Sequence, residues 1–434
     1  MPFNKFQDFL AGLIGNQALR LFPPKRDLEL NDLLEKLMGL TGEISALITA
    51  REILDRYRAL SSQGKLDFFL NLEQNFGVHP ELISQSYNTY FENPSSINLT
   101  NLYKNTEPKR IELLRRLNQT PNATHDLVAM RVDLLAFIKE YPGLKVVDGE
   151  FRQLFSSWFT RSFLTLSQIN WSTSAEILER IIRYEAVHEI KDWDDLRNRI
   201  HPPNRRCFAF FHPALVNEPL IFVEVALTNT IPKSITDILD DPLSASSNDR
   251  GYTTATFYSI SNCQPGLKQI SFGNFLIKQV AQELALEFPS IKNFVTLSPI
   301  PGFSAWLRTE QNFSNNNDIE SQKVPLPDFG ASNLDIEETG LRKLVFRYLL
   351  SSKKNGLPAD PVCRFHLGNG ASIYEINENA DLSPKGISQS YGVMVNYLYD
   401  LSSIERNHEN LFSSGKITYR DKLSSLLDKD LKLI

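Results

Sequence analysis

The chain has 434 residues, of which 42% are hydrophobic and 22% charged, so it can bury more than one core and predicts two or three domains. A formal net charge of −5 excludes the broad basic field of a protein that binds nucleic acid or anionic membranes. No apolar run reaches membrane-spanning length, and the three cysteines lack the spacing of a zinc site or a disulfide framework. We expect free thiols and no metal, nucleic-acid or membrane partner.

The first part of the chain, from Leu28 to about Leu154, has apolar side chains at the three- and four-residue intervals of helices. The clearest runs are Leu30 to Leu37, Leu54 to Leu60, Phe68 to Phe76, Arg110 to Leu117 and His125 to Tyr141. Prolines separate several runs, which favours short antiparallel helices packed as a bundle. This part contains no catalytic motif, so we assign residues 1–158 to a helical domain that serves as a scaffold or an assembly surface.

The pattern changes near Phe159, where helical runs such as Ser174 to Val187 begin to alternate with strand candidates. Strands are predicted at residues 206–211, 220–227, 255–261, 293–297, 362–366, 371–377 and 390–399. Two polar segments, 240–250 and 312–318, are predicted surface loops. Residues 159–434 therefore form a second domain, in which helices flank a mostly antiparallel sheet.

A glycine turn stands between a predicted strand and a predicted helix in this second domain. The turn, Gly266 to Asn274, follows the strand at 255–261 and precedes an amphipathic run whose apolar face begins at Ile277. Amide groups at the start of such a helix favour an anion, so the turn predicts a phosphorylated ligand. The same order of strand, glycine turn and helix is also an ordinary connection in α/β proteins, so the turn alone identifies no ligand.

Two further blocks, Thr296-Leu-Ser-Pro-Ile-Pro-Gly-Phe303 and Phe365-His-Leu-Gly-Asn-Gly370, follow the glycine turn in the chain. Together the three blocks resemble the malonyl-CoA decarboxylase family, whose catalytic half is a variant of the GNAT acetyltransferase fold. Other matching blocks are 157–159, 185–193, 205–207, 218–220, 225–228, 257–261 and 392–397. The resemblance implies an α+β protein with an N-terminal helical bundle followed by a GNAT-like mixed, mostly antiparallel sheet flanked by helices.

The resemblance also implies which residues act. Ser298 and His366 match the functional serine and histidine of the family. Tyr399 stands where the family also has a tyrosine, and its side chain is a candidate to close the substrate pocket. The implied substrate-binding residues besides this serine and histidine are Lys268, Gln269, Ile270, Ser271, Phe272, Gly273 and Asn274. Asn274 departs from the threonine often seen there. On local sequence alone, a serine before proline is usually a turn or cap, and a lone histidine or strand tyrosine is usually structural.

The implied reaction converts malonyl-CoA to acetyl-CoA and carbon dioxide, a step of fatty acid metabolism. The thioester carbonyl accepts the electron pair that the departing carboxylate leaves, so we expect no cofactor beyond the coenzyme A of the substrate. We expect His366 to donate a proton and Ser298 to orient the carboxylate or relay a proton. An acyl-CoA-dependent acyltransferase that uses an amine, and a non-catalytic acyl-CoA sensor, are the alternatives.

The resemblance implies a homo-oligomer, commonly a tetramer formed through the helical half. The amino terminus lacks the features of a secretory or transit peptide, so we expect a cytoplasmic protein, in a bacterium rather than in the mitochondrial matrix. Glu185 and His188 stand one helical turn apart, but two ligands are too few for a metal site.

Overall fold

The computed structural model describes residues 28–240, 251–270, 276–316 and 338–427 of the chain. Most of the predicted loop at 240–250, and the end of the one at 312–318, lie outside these ranges. The described residues divide into two compact units. The first is formed by residues 28–164, 212–216 and 264–270, and the second by 165–211, 217–240, 251–263, 276–316 and 338–427.

The first unit is helical, as the sequence predicts. Its helices are α1 (Leu30–Gly39), α2 (Glu43–Ala59), α3 (Ser62–Asn75), α4 (Pro80–Glu92), α5 (Ser96–Thr106), α6 (Lys109–Leu117), α7 (Ala123–Phe137) and α8 (Lys145–Trp158). The apolar stripes face inwards, and Leu33, Leu34 and Leu37 of α1 are buried. Helix α3 begins after Ser61, whose hydroxyl accepts the amide of Gly64 at 3.2 Å and so caps the helix.

Aromatic rings and a buried ion pair lie among the aliphatic side chains in the core of the first unit. Tyr57 of α2 contacts Phe68 and Phe69 of α3 edge to face, with ring centroids 4.9 and 5.9 Å apart. Arg110 of α6 pairs with Glu150 of α8, and both side chains are buried. Removing one partner of such a pair is strongly destabilising, because the remaining charge is left without compensation.

The second unit contains an eight-stranded mixed sheet in the part of the chain that is described. The strands of this sheet are β1 (Thr165–Ile169), β2 (Arg205–Phe211), β3 (Pro219–Thr228), β4 (Thr254–Asn262), β5 (Asn293–Thr296), β6 (Ser298–Pro299), β9 (Ser372–Asn377) and β10 (Met394–Leu398). Strands β7 (Lys353–Lys354) and β8 (Leu357–Pro358) form a separate two-stranded sheet. The predicted strands at 206–211, 220–227, 255–261, 293–297 and 371–377 are confirmed, and the strand predicted at 390–399 is shorter, at 394–398.

Strands β1 to β4 are antiparallel neighbours in chain order, whereas β4 and β5 pair in parallel. The pairs Val295–Leu398, Ser298–Val395 and Pro299–Met394 follow one antiparallel register, so β5 and β6 lie along the same side of β10. Strand β9 pairs with the other side of β10. This mixed, mostly antiparallel sheet has the GNAT-like form that the resemblance implies.

Helices flank the sheet in the second unit. They are α9 (Ala175–Tyr184), α10 (Trp193–Ile200), α11 (Thr236–Leu239), α12 (Leu276–Glu287), α13 (Phe303–Asn316), α14 (Glu338–Ser351), α15 (Pro361–Gly368), α16 (Pro384–Ser390) and α17 (Ile404–Ser414). Helix α12 confirms the amphipathic run after the glycine turn, with Ile277, Val280 and Leu284 buried. Across the described residues, no helix combines the length and the apolar character that crossing a membrane would require.

The strand predicted at 362–366 is wrong, because these residues lie in helix α15. The carboxylate of Asp360 accepts the amides of Val362 and Cys363 at 2.9 Å and caps the helix, while Pro361 occupies its first turn. The apolar run suggested a buried strand, but the Asp-Pro pair before it is a helix-start signal. The correction matters because this helix carries His366.

The surface loop predicted at 312–318 is also corrected. Helix α13 continues to Asn316, so at least residues 312–316 are helical. The segment contains neither glycine nor proline between Phe303 and Asn316, so nothing in its backbone interrupts the helix. Asparagine-rich composition was therefore a poor guide to the end of this helix.

Candidate active site

Ser298 and His366, from separate parts of the second unit, meet in the structure. Ser298 begins β6 and His366 lies on α15, and the serine Oγ is 3.0 Å from the histidine Nε2. Their exposed fractions are only 5% and 3%. The two residues that the resemblance singled out are thus in direct hydrogen-bond contact.

The hydroxyl hydrogen of Ser298 is directed away from His366. It is donated to Oγ1 of Thr296, at 2.8 Å. A serine hydroxyl has one hydrogen, so the Ser298 oxygen must accept from His366, and the neutral imidazole carries its hydrogen on Nε2. The tautomer of His366 thus follows from the direction of the bond between Ser298 and Thr296.

Tyr399 follows β10 and contacts the other nitrogen of the imidazole. Its hydroxyl is 2.8 Å from Nδ1 of His366, and the side chain is 2% exposed. Because Nε2 of the neutral ring holds the hydrogen, Nδ1 accepts from the tyrosine hydroxyl. Hydrogen bonds therefore run in one direction, from Tyr399 to His366, then to Ser298, then to Thr296.

Burial determines the protonation states of this chain of hydrogen bonds. It lowers the pKa of His366 from 6.5 to about 3, because the charged imidazolium is poorly solvated there. Burial likewise raises the pKa of Tyr399 well above its ordinary value. At neutral pH the histidine and the tyrosine are both uncharged, and each holds a hydrogen that it can pass on.

Tyr397 contacts the imidazole directly, and Asp360 acts on it through the helix that carries it. The ring of Tyr397 stacks on that of His366, with centroids 4.7 Å apart and an interplanar angle of 25°. Asp360 caps the helix that carries His366, and its carboxylate also accepts the amide of Gly302 at 3.1 Å. The histidine is held by ring packing and by its helix as well as by hydrogen bonds.

Ser298 and His366 open onto a cavity of about 270 Å³ whose wall is mostly apolar. The residues that line it are Val187, Ile221, Phe257, Tyr258, Ile260, Asn262, Leu297, Ser298, Pro299, Pro361, Val362, Phe365 and His366. Ligand sites for drug-sized molecules typically measure roughly 300–1,000 Å³, so this cavity has room for an acyl group.

One wall of the cavity comes from the segment that begins at Glu185. Val187 lines the cavity, and the Glu185 carboxylate accepts the hydroxyls of Ser259, at 2.7 Å, and Ser261, at 3.2 Å. Glu185 thus fastens the segment to β4. Its carboxylate also accepts the backbone amide of His188 at 2.8 Å, a contact typical of a turn and not of a metal site.

Side chains from elsewhere in the second unit also hold the segment that begins at Glu185, by donating hydrogen bonds to its backbone carbonyls. Lys385 Nζ donates to the carbonyl of Val187 at 3.1 Å and to that of Ala186. Arg199 donates to the carbonyl of His188 at 2.7 Å. Together these contacts hold Val187 in the wall of the cavity.

The predicted substrate-binding segment is described only in part. Lys268 and Gln269 are exposed and Ile270 is buried, whereas the predicted residues Ser271, Phe272, Gly273 and Asn274 lie outside the described residues. Gln269 has a φ of 68°, in the left-handed region that few non-glycine residues adopt. The described residues of this segment belong to the helical unit, not to the unit that contains Ser298.

Arg131 of α7 holds this segment by its backbone. Its guanidinium donates to the carbonyls of Gly266, at 2.7 Å, and Lys268, at 3.0 Å, and pairs with Asp148 at 2.7 Å. Gly266 lies so close to Val128 of the same helix that an added Cβ would stand 2.0 Å from the Val128 carbonyl oxygen. Only glycine fits at this position.

Sequence reasoning missed two residues of these sites. It assigned no chemistry to the helical part, yet Arg131 is a lone arginine within the apolar stripe of α7, which is a signal for a buried and paired cation. Thr296 lies inside a recognised block but was not singled out. No pattern in the sequence shows that its hydroxyl would accept from Ser298.

Comparison with known proteins gives a consistent result. The profile described as malonyl-CoA decarboxylase C-terminal domain matches residues 162–433, and that described as the N-terminal domain of the same family matches residues 76–159. The mitochondrial malonyl-CoA decarboxylase of the goose Anser anser anser is 34% identical over 353 residues, which cover 74% of this chain and 70% of the goose protein. The Mus musculus protein is 33% identical over 351 residues, covering 74% and 71%.

Solved structures are similar over nearly the whole chain. The crystal structure of malonyl-CoA decarboxylase from Rhodopseudomonas palustris is 44% identical, with a TM-score of 0.84, and covers 91% of this chain and 98% of that one. The structure of the protein from Agrobacterium vitis is 43% identical, with a TM-score of 0.85, and covers 93% and 100%.

Proposed function

The chain belongs to the malonyl-CoA decarboxylase family of carboxy-lyases, and we propose that it converts malonyl-CoA to acetyl-CoA and carbon dioxide through Ser298, His366 and Tyr399. The observation that carries this proposal is the contact between Ser298 and His366 at the wall of an acyl-sized cavity. Ligands of this cavity must be small or present only one end to it.

The substrate supplies its own electron acceptor. The bond between the carboxylate carbon and the α carbon breaks, its electron pair forms the enolate double bond, and the carbonyl pair moves to the thioester oxygen. Carbon dioxide leaves, and one proton returned to the α carbon restores the carbonyl. No cofactor is required for this electron flow, so the protein has to orient the carboxylate and deliver a proton.

Ser298 is proposed to perform both tasks in turn. Its hydrogen swings from Thr296 to the substrate carboxylate, which can only accept hydrogen bonds. After carbon dioxide departs, that hydrogen points to the α carbon that the carboxylate has left. Ser298 then gives it to the carbon and takes the Nε2 hydrogen of His366, so the serine remains uncharged throughout.

Tyr399 completes the relay. As Nε2 of His366 gives up its hydrogen, Nδ1 takes the hydroxyl hydrogen of Tyr399, and the imidazole stays neutral. The resulting tyrosinate, which its burial disfavours, is reprotonated from water when the product leaves. The net reaction consumes one proton. An enolate carbon is much more basic than a tyrosinate, so the relay runs in the direction of the product.

The cavity wall supports decarboxylation in a second way. Phe257, Leu297 and Phe365 present apolar surface beside Ser298 and His366. Such a wall disfavours a carboxylate more than it disfavours uncharged carbon dioxide, and it excludes water that would compete for the enolate. The remainder of coenzyme A is too large for the cavity, and we propose that the segment Lys268 to Asn274 binds it.

The test is to mix the purified protein with malonyl-CoA alone and to measure acetyl-CoA and carbon dioxide. We expect turnover in the wild type and a loss of about 10²–10⁴-fold in kcat in Ser298→Ala and in His366→Ala. A protein that forms no acetyl-CoA, but transfers the acyl group when an amine is added, would be an acyltransferase. Tight binding of malonyl-CoA without turnover would identify a sensor.

We propose a homo-oligomer, a tetramer, formed through the helical part, and the exposed apolar side chains Phe91, Ile97 and Tyr103 of α4 and α5 support this. Light scattering measures the mass directly, and a monomer at working concentration would contradict the proposal. The bacterial sources of the similar solved structures support a bacterial cytoplasmic location.

A further inference from the structure

Thr296, the last residue of β5, has contacts that set it apart from an ordinary strand threonine. Its side chain is fully buried, and Oγ1 accepts from the Ser298 hydroxyl at 2.8 Å and from the backbone amide of Tyr397 at 3.1 Å. Its carbonyl accepts from the Asn396 side chain at 2.8 Å. The Thr296 hydroxyl thus replaces part of the strand ladder and holds the catalytic serine at the same time.

The contact with Ser298 has a chemical consequence. While Thr296 takes the only hydrogen of Ser298, the serine oxygen presents lone pairs to His366 and stabilises the tautomer with its hydrogen on Nε2. Without an acceptor at residue 296, the serine hydrogen is free to turn to Nε2. The imidazole then favours the other tautomer, with its hydrogen on Nδ1, and Tyr399 becomes an acceptor.

We propose that Thr296 is a positioning residue that holds the Ser298 hydrogen while the cavity is empty and yields it to the substrate carboxylate. By doing so it keeps every hydrogen bond of the relay directed from Tyr399 towards the substrate. The proposal rests on the proposed function for its kinetic consequence, whereas the tautomer of His366 is a property of the free enzyme.

Three variants separate this role from a structural one. Thr296→Val keeps the shape of the side chain and removes the acceptor, and Thr296→Ser restores the hydroxyl. Asn396→Leu removes the hydrogen bond to the Thr296 carbonyl, together with those to the Pro232 carbonyl and from the Asn377 side chain, and leaves the Thr296 hydroxyl unchanged. It therefore reports what loosening of this strand does by itself. Thermal unfolding of each full-length variant shows whether it is folded.

The first readout is the tautomer of His366 in the substrate-free protein, followed by NMR of ¹⁵N-labelled histidines. His366→Gln identifies its signals. We expect a protonated Nε2 and an unprotonated Nδ1 in the wild type, in Thr296→Ser and in Asn396→Leu. In Thr296→Val we expect the signals to move towards a protonated Nδ1.

The second readout is turnover of malonyl-CoA. We expect kcat to fall at least about tenfold in Thr296→Val, the factor that corresponds to losing one oriented hydrogen bond, with a smaller change in KM. Thr296→Ser should recover most of this loss. An unchanged tautomer in folded Thr296→Val would overturn the proposal, and so would equal losses of kcat in Thr296→Val and Asn396→Leu. A wild type inactive on malonyl-CoA refutes the proposed function only, because the NMR comparison still tests Thr296.

Discussion

Nδ1 of His366 lies 2.8 Å from the hydroxyl of Tyr399, on the opposite edge of the imidazole from Ser298. The histidine therefore stands between two hydroxyls, one that gives a hydrogen and one that receives one. Neither neighbour is a carboxylate, so this arrangement differs from a triad in which an acidic residue stabilises an imidazolium. It favours proton relay through a neutral ring.

Tyr399→Phe should lower kcat by about 10²-fold or more and leave KM nearly unchanged, because it removes the hydrogen that replaces the one leaving Nε2. Steady-state kinetics with malonyl-CoA measures both constants. Tyr397→Phe is the matched control, since it removes a buried hydroxyl from the same strand region but keeps the ring that stacks on His366. Equal losses in the two variants would contradict the relay.

His366→Gln distinguishes proton relay from simple hydrogen bonding. A glutamine side chain can donate a hydrogen bond to Ser298, but an amide does not exchange one hydrogen for another as an imidazole does. We expect the kcat of His366→Gln to be nearly as low as that of His366→Ala. Recovery of most of the wild-type rate in the glutamine variant would show that His366 only donates a hydrogen bond.

The pH dependence of kcat follows from the buried imidazole. An ordinary histidine has a pKa of about 6.5, but here the pKa is about 3, so His366 is already neutral throughout the neutral range. Acidification protonates Nδ1 only as the pH approaches this low value, and the Tyr399 hydroxyl, whose pKa is raised, stays protonated in alkali. We expect kcat to show no histidine titration between about pH 5 and pH 9. A loss of kcat on acidification through pH 6.5 would contradict a neutral His366.

Arg131→Met should raise KM for malonyl-CoA by roughly tenfold or more with little change in kcat, because the segment that we propose to bind coenzyme A loses the hydrogen bonds from a charged donor to its Gly266 and Lys268 carbonyls. Arg110→Met is the control, since Arg110 is a buried, ion-paired arginine of the same unit with no contact to this segment in the described structure. If Arg110→Met raised KM equally, general destabilisation would be the cause.

Asp360→Ala should reduce the free energy of unfolding by about 0.5–2 kcal/mol, because helix α15 loses its cap and Gly302 loses an acceptor. Urea unfolding measures the change. Asp360→Asn keeps a side-chain oxygen that can accept both helix amides and should lose less. Because this helix carries His366, we also expect kcat to fall in the alanine variant, and a fully active Asp360→Ala would contradict this.

Most of the fold could be predicted from the sequence because its elements have regular apolar periodicity. Helices α1, α2, α3, α6 and α7 and strands β2, β3 and β4 were predicted in this way, whereas helices α4, α5 and α8 were covered only by the general helical pattern of the first part of the chain. The 362–366 strand prediction failed because a short buried helix and a short buried strand have the same apolar run, and only the preceding Asp360 and Pro361 distinguish them.

The positions of the site residues could be predicted from the sequence, but the directions of their hydrogen bonds could not. The resemblance gave Ser298, His366 and Tyr399 as positions, but no sequence pattern gives the direction of a hydrogen bond. That direction depends on Thr296, which lies near the serine in sequence, and on Tyr399, which lies far from it. Arg131 could not be linked to the glycine turn because the contact joins residues 135 positions apart.

The close approach of Gly266 to helix α7 limits how the polypeptide can be shortened. A fragment beginning at Thr165 would retain residues 264–270 in its sequence but would lack the helix, and the buried arginine, against which they pack. Such a fragment has the residues of the cavity, but the segment that we propose to bind coenzyme A would lack the helix against which it packs. A shortened form of this enzyme should therefore retain α7. This holds whether the purpose is crystallisation or transfer of the cavity into another protein.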